Sequence, residues 1–137
     1  MWSLRIRLVS MFFATVFCIV IGASGQEEEK HPVHSIGIDK ADSIISVRQG
    51  ERIKLALPAA PGTGYGWSIV QVDAEILKSV GQPVFESGET EGAVGATEQQ
   101  IFLFDAQKKG ITELVLVEKR VWEEQINRSF SVTIRIY

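Results

Sequence analysis

His31 and His34 are the only imidazoles in the 137-residue chain, so chemistry that needs a histidine base near neutral pH depends on them. Both sit in "QEEEKHPVHS" (Gln26 to Ser35), a polar stretch without periodicity. A Ser–His or Cys–His relay inside a folded domain therefore lacks its base. As metal ligands the pair makes half a site, and a solvated tail is the plainer reading. Carboxylates are plentiful at Glu123, Glu124, Glu86, Glu89 and Glu91, but nothing groups them as an acid–base pair, and solvated loop acids are the ordinary account. "GTGYG" (Gly62 to Gly66) looks like part of a phosphate-binding glycine loop, yet such loops open a helix and here a strand follows. These residues argue against an enzyme and imply no cofactor or metal.

Three loops point instead to recognition. In "PAAPGTGYGW" (Pro58 to Trp67) Pro58 and Pro61 stiffen the backbone, while Gly62 and Gly64 open φ values that other residues avoid. Thr63 is left at the tip with little side chain around it, and Tyr65 and Trp67 anchor the base; for Trp67 a core position is the better reading. "SGETEGAVGATE" (Ser87 to Glu98) is long, rich in small residues and apolar at Ala93–Ala96, which suits a flat contact surface or a plain connection. "RVWEE" (Arg120 to Glu124) puts Trp122 among charges, either as a lid on the domain end or as an exposed anchor.

The elements that must position these loops are β-strands. "RIKLAL" alternates, with Ile53, Leu55 and Leu57 on one face, and "FSVTIRIY" does the same with Phe130, Val132, Ile134 and Ile136. "IIS" with Val47, "GWSIVQV", "QQIFLFD" and "ITELVLVEK" add further runs rich in β-branched and aromatic residues, the apolar stretches 101–104 and 114–117 suiting central strands. Only "VDAEILKSV" (Val72 to Val80) has the makings of a helical turn. About seven short strands separated by turns predict an all-β, immunoglobulin-like antiparallel β-sandwich, with a small barrel as the alternative. In a seven-strand sandwich the three loops follow the second, fourth and sixth strands and so gather at one end.

The N-terminus reads as a separate unit. Arg5 and Arg7 precede an uncharged apolar run, Leu8 to Ile21, and then small residues, the order of a secretory signal peptide cleaved after Gly25. The run is shorter than the roughly 20 residues of a spanning helix. The expected division is a signal peptide over 1–25, a flexible leader over 26–35 and a single domain over 36–137. The lone cysteine, Cys18, falls in the discarded segment, so the domain must hold together by packing without a disulfide. Removing 1–25 takes two arginines and no acid from a chain of charge −3, leaving −5 from 12 basic and 17 acidic residues. That mild acidity argues against nucleic acid or an anionic membrane as partner. "NRS" at Asn127 is a glycosylation sequon beside the third loop.

Taken together, the loops resemble those of the chagasin family, immunoglobulin-like inhibitors of papain-like cysteine peptidases. "APGTGY" (Ala60 to Tyr65) is similar to that family's "NPTTGY"-type first loop, keeping Pro61, Thr63, Gly64 and Tyr65. "AVGATE" is similar to its "GxGG" loop, keeping Gly95, Thr97 and Glu98, and "RVW" to its "RPW" loop, keeping Arg120 and Trp122. Ala60, Gly62, Ala93, Ala96 and Val121 depart from the pattern, which implies less preorganised loops. The resemblance implies a reversible, non-covalent inhibitor that fills a peptidase cleft, with Pro61, Gly62, Thr63, Gly64, Tyr65, Val94, Gly95, Ala96, Arg120 and Trp122 in contact. The signal peptide implies a secreted or exported protein, expected to be a monomer. The competing reading is an immunoglobulin-like adhesion or ligand-binding module without inhibitory activity.

Overall fold

The computed structural model describes residues 31–87 and 98–137. They form nine strands: β1 (Val33–Gly37), β2 (Ile44–Val47), β3 (Arg52–Ala59), β4 (Tyr65–Gln71), β5 (Leu77–Ser79), β6 (Val84–Ser87), β7 (Glu98–Ala106), β8 (Gly110–Arg120) and β9 (Arg128–Ile136). One sheet runs β1-β3-β7-β5, with β6 following β5 along the same flank of β7; the other runs β2-β9-β8-β4. The alternation read in the sequence sets the packing. Ile53, Leu55 and Leu57 of β3 face Leu114 and Leu116 of β8 and Phe130, Val132 and Ile134 of β9 across one core, joined by Phe102, Phe104 and Trp67. With large side chains such as Leu55, Phe104 and Phe130 fully buried, each contributing roughly 1.5–3 kcal/mol, the sandwich stands without a disulfide.

Details of the sandwich differ from the expectation. Strand directions are mixed: β1 pairs parallel with β3, and β2 parallel with β9. The chain follows β1 along the edge of one sheet toward the loop-bearing end, reverses through the turn at Ile38–Lys40 and runs back along the edge of the other sheet as β2. Alternation reports which face a residue takes and carries no information on the direction of its neighbour. Strand structure also begins earlier than expected. Val33–Ser35 are already in β1, and His34 pairs with Glu51 at 2.7 Å, so the second histidine belongs to the domain. "VDAEILKSV" makes a single turn at Asp73–Leu77 and then becomes β5. Strands also invade the first loop from both sides, leaving five residues, Ala60–Gly64, as the loop itself. Pro58 is tolerated within β3 because it lies past Ala56, where β1 ends. Its carbonyl points off that open flank and accepts from Trp67 Nε1 at 2.8 Å, and on a strand the missing N–H would share that direction.

The strand ends bring the loops together. Ala59 pairs with Glu98, Ser87 with Glu98, and Tyr65 with Arg120, while Glu118 pairs with Arg128. The stems of all three loops thus stand at one end of the sandwich. Val94, Gly95 and Ala96 lie outside the described residues.

A candidate recognition edge

The first loop is braced from within. Pro61 opens a 3-10 turn over Pro61–Thr63, where its fixed φ suits the first position. Thr63 N–H donates to the Ala60 carbonyl at 3.0 Å, and the Thr63 hydroxyl donates to the same oxygen at 2.6 Å. The hydroxyl therefore rigidifies the loop from within and is not held out toward a partner. Gly64 closes the turn in the left-handed region at φ 80°, its N–H donating to Pro61. Gly62 is different: its φ lies outside that region and an added β-carbon would meet open space. Of the two glycines, only Gly64 is demanded by the backbone.

The third loop packs onto the first. The Trp122 ring lies over Gly64 and fills the space a β-carbon there would occupy, with Cζ3 and Cζ2 3.0 and 3.2 Å from that position. The rest of the indole is open, 71% exposed, so Trp122 is both a lid on Gly64 and an exposed surface. Arg120 ties the two loops. Its Nε donates to the Thr63 carbonyl at 3.2 Å, and its Nη1 bonds Glu123 at 3.0 Å. The guanidinium stands 4.5 Å from the Tyr65 ring centre and 6.0 Å from that of Trp122, within cation–π range of both. Pro61, Gly62, Thr63, Gly64, Tyr65, Arg120 and Trp122 thus form one continuous edge. Val121 is 90% exposed beside them, with no proline to fix the backbone.

Two of the loop carboxylates singled out in the sequence hold ion pairs. Glu123 is paired with Arg120, and Glu86 with Lys54 at 3.0 Å. Glu89 and Glu91 lie outside the described residues. Among the described residues no cluster of three or more His, Cys, Asp or Glu side chains could hold a metal ion, and no helix is long and apolar enough to cross a membrane.

The family model for the chagasin family peptidase inhibitor I42 matches residues 46–134. The chain belongs to the chagasin family. Among solved structures this chagasin-family chain is similar to the cysteine protease inhibitor EhICP2 from Entamoeba histolytica, at 19% identity and a TM-score of 0.65, over 79% of this chain and 98% of that one. Amebosin is similar at 21% identity and a TM-score of 0.62, over 77% and 98%. PbICP-C, solved in complex with falcipain-2, is similar at 13% identity and a TM-score of 0.52, over 77% and 99%. These likenesses confirm the immunoglobulin-like sandwich of the chagasin fold. No curated protein matches the sequence. The family is one of peptidase inhibitors, not of enzymes.

Beneath the chagasin-type loops lie residues that the sequence reading passed over. Gln100 of β7, buried, crosses to the other sheet: its Oε1 accepts from Trp67 N–H at 2.8 Å and its Nε2 donates to Trp67 C=O at 3.1 Å. It does for the edge of β4 what a further strand would do. Glu118 of β8 is buried at 2% exposure and receives Arg128 Nε at 2.5 Å, Arg128 Nη2 at 2.9 Å and Asn127 Nδ2 at 3.0 Å. Arg128 holds the Glu118 carboxyl below the usual carboxylate range, outweighing the burial that raises it. The one available signal was a polar residue at an inward position of an alternating strand: Glu118 follows Leu114 and Leu116 in that series.

Proposed function

We propose that this chain is a reversible, non-covalent, competitive inhibitor of papain-like cysteine peptidases. The first loop enters the cleft over the catalytic cysteine, and the loops containing Val94, Gly95 and Ala96 and containing Arg120 and Trp122 grip its two sides. Membership of a peptidase-inhibitor family supports the class of activity. The observation that carries the mechanism is the joint bracing of Ala60–Gly64 by its own hydrogen bonds, by Arg120 and by the Trp122 ring.

A loop already held in one shape loses little entropy on binding. It fills the cleft with backbone and small side chains while presenting no peptide bond aligned for attack, so no covalent step is needed. Trp122 supplies a large exposed apolar surface of the kind that anchors interfaces. Residues 1–25 act as a signal peptide, and the exported protein works as a monomer without a cofactor.

The test is titration of active papain with the chain lacking residues 1–25, following hydrolysis of a fluorogenic substrate. The expected result is stoichiometric, reversible loss of activity. A nanomolar dissociation constant corresponds to about −12 kcal/mol, which a contact of about 800 Å² per partner can supply. Absence of inhibition at micromolar chain, with papain and with a cathepsin-like peptidase, overturns the reading and leaves a ligand-binding module.

A further inference from the structure

We infer that Glu118 is a positioning residue for the recognition edge, acting through Arg128 and Asn127 to hold the stems of the first and third loops in one register. This inference rests on the inhibitor reading above, and goes beyond it to a group that does not touch the peptidase.

A buried carboxylate is costly to desolvate. Glu118 occupies the last core-facing position of β8 before the third loop, where Leu114 and Leu116 precede it in the same series. Burying an ion pair seldom stabilises a fold more than apolar side chains of similar volume, because desolvation offsets the attraction. Stability alone therefore gives a weak account of a glutamate here. Its contacts give a better one. The Glu118 backbone carbonyl accepts from Asn127 N–H at 2.8 Å, and its carboxylate accepts from Asn127 Nδ2 at 3.0 Å, so both ends of the third loop close on one residue. Arg128 grips both carboxylate oxygens and extends Nη2 to the Pro58 carbonyl at 3.3 Å, two residues before the first loop. The same carbonyl accepts from Trp67 Nε1, and Arg128 lies 5.3 Å from the centre of the Trp67 ring. Charge, fork geometry and ring together join the end of β3, the start of β4 and the two stems of the third loop. Arg120, two residues on, then carries that alignment to Thr63 and Trp122.

Two variants test this against a merely structural role. In Glu118→Gln the shape is kept and the charge is lost. In the double variant Glu118→Leu with Arg128→Met, apolar side chains replace the pair, and thermal stability is expected to be kept or raised. Positioning predicts that both weaken papain inhibition at least ten-fold, mainly through faster dissociation. It also predicts faster hydrogen exchange of the Asn127 and Thr63 amides in the free protein. Unchanged inhibition by a stable double variant overturns the inference, and so does unchanged amide exchange. Should the unmodified chain fail to inhibit papain, the functional reading falls, and the exchange rates of the free protein still decide whether Glu118 orders the loops.

Discussion

Gly64 adopts a left-handed backbone directly beneath the Trp122 ring, in a space that no side chain could share. Two independent constraints therefore demand glycine. Gly64→Ala should suffer roughly 1–2 kcal/mol of backbone strain and should also push the indole off the first loop. The expected outcome is a shifted Trp122 emission together with a rise of about ten-fold or more in the inhibition constant, ten-fold being about 1.4 kcal/mol. An alanine variant with native affinity would show that the contact between the loops does not matter for binding.

Trp122→Ala separates affinity from stability. The ring is mostly exposed, so its removal should leave the melting temperature nearly unchanged. Affinity for papain should fall by about 2–4 kcal/mol if the indole anchors the interface. Equal inhibition by this variant, with a native melting curve, would remove the third loop from the mechanism.

Arg120→Lys keeps the charge and loses the planar fork. An ammonium cannot reach the Thr63 carbonyl and Glu123 in the same geometry while lying against Tyr65. The loss should be about 1 kcal/mol of affinity, read as a faster dissociation rate. Equal rates for lysine and arginine would mean that charge alone is used.

Gln100→Leu should damage the fold itself. It strips both partners from the backbone of Trp67, and each buried group left unpaired costs about 1–3 kcal/mol. Urea unfolding should show a total loss of about 2–6 kcal/mol, the sum of those two unpaired-group costs. A variant within a few tenths of the parent would mean that water replaces the amide at no cost.

Acid stability should depend on Glu118. Its folded carboxyl is held below the unfolded value, chiefly by Arg128 and then by Asn127. Such a group contributes fully above the ordinary glutamate range, about 4.3, and its contribution disappears as pH falls through the lower folded value. Glu51, lowered by the Arg48 backbone N–H and by His34, acts in the same direction. The urea midpoint should therefore hold from pH 7 to 5 and drop below about 4. Glu118→Gln should flatten part of that drop. An acid limb identical to the parent's would show that Glu118 is not responsible.

The sequence by itself determined the class of fold and most of the exposed edge. Alternation in "RIKLAL" and "FSVTIRIY" reports burial directly, because side chains on a strand point to opposite faces in turn. The glycine, proline and aromatic residues at Pro61, Gly64, Tyr65 and Trp122 marked the loops, since each has a local reason to be where it is. Only the tertiary structure decided what lies beneath. The parallel pairing of β1 with β3 and of β2 with β9, the place of His34 in the domain, and the links from Gln100 to Trp67 and from Glu118 to Arg128 all join residues on different strands. A strand's own pattern states which face is buried, whereas hydrogen bonds across the core depend on which strands meet and in what register. The same holds for the Trp122 ring on Gly64, 58 positions apart in the chain, which become neighbours only when β4 and β8 pair.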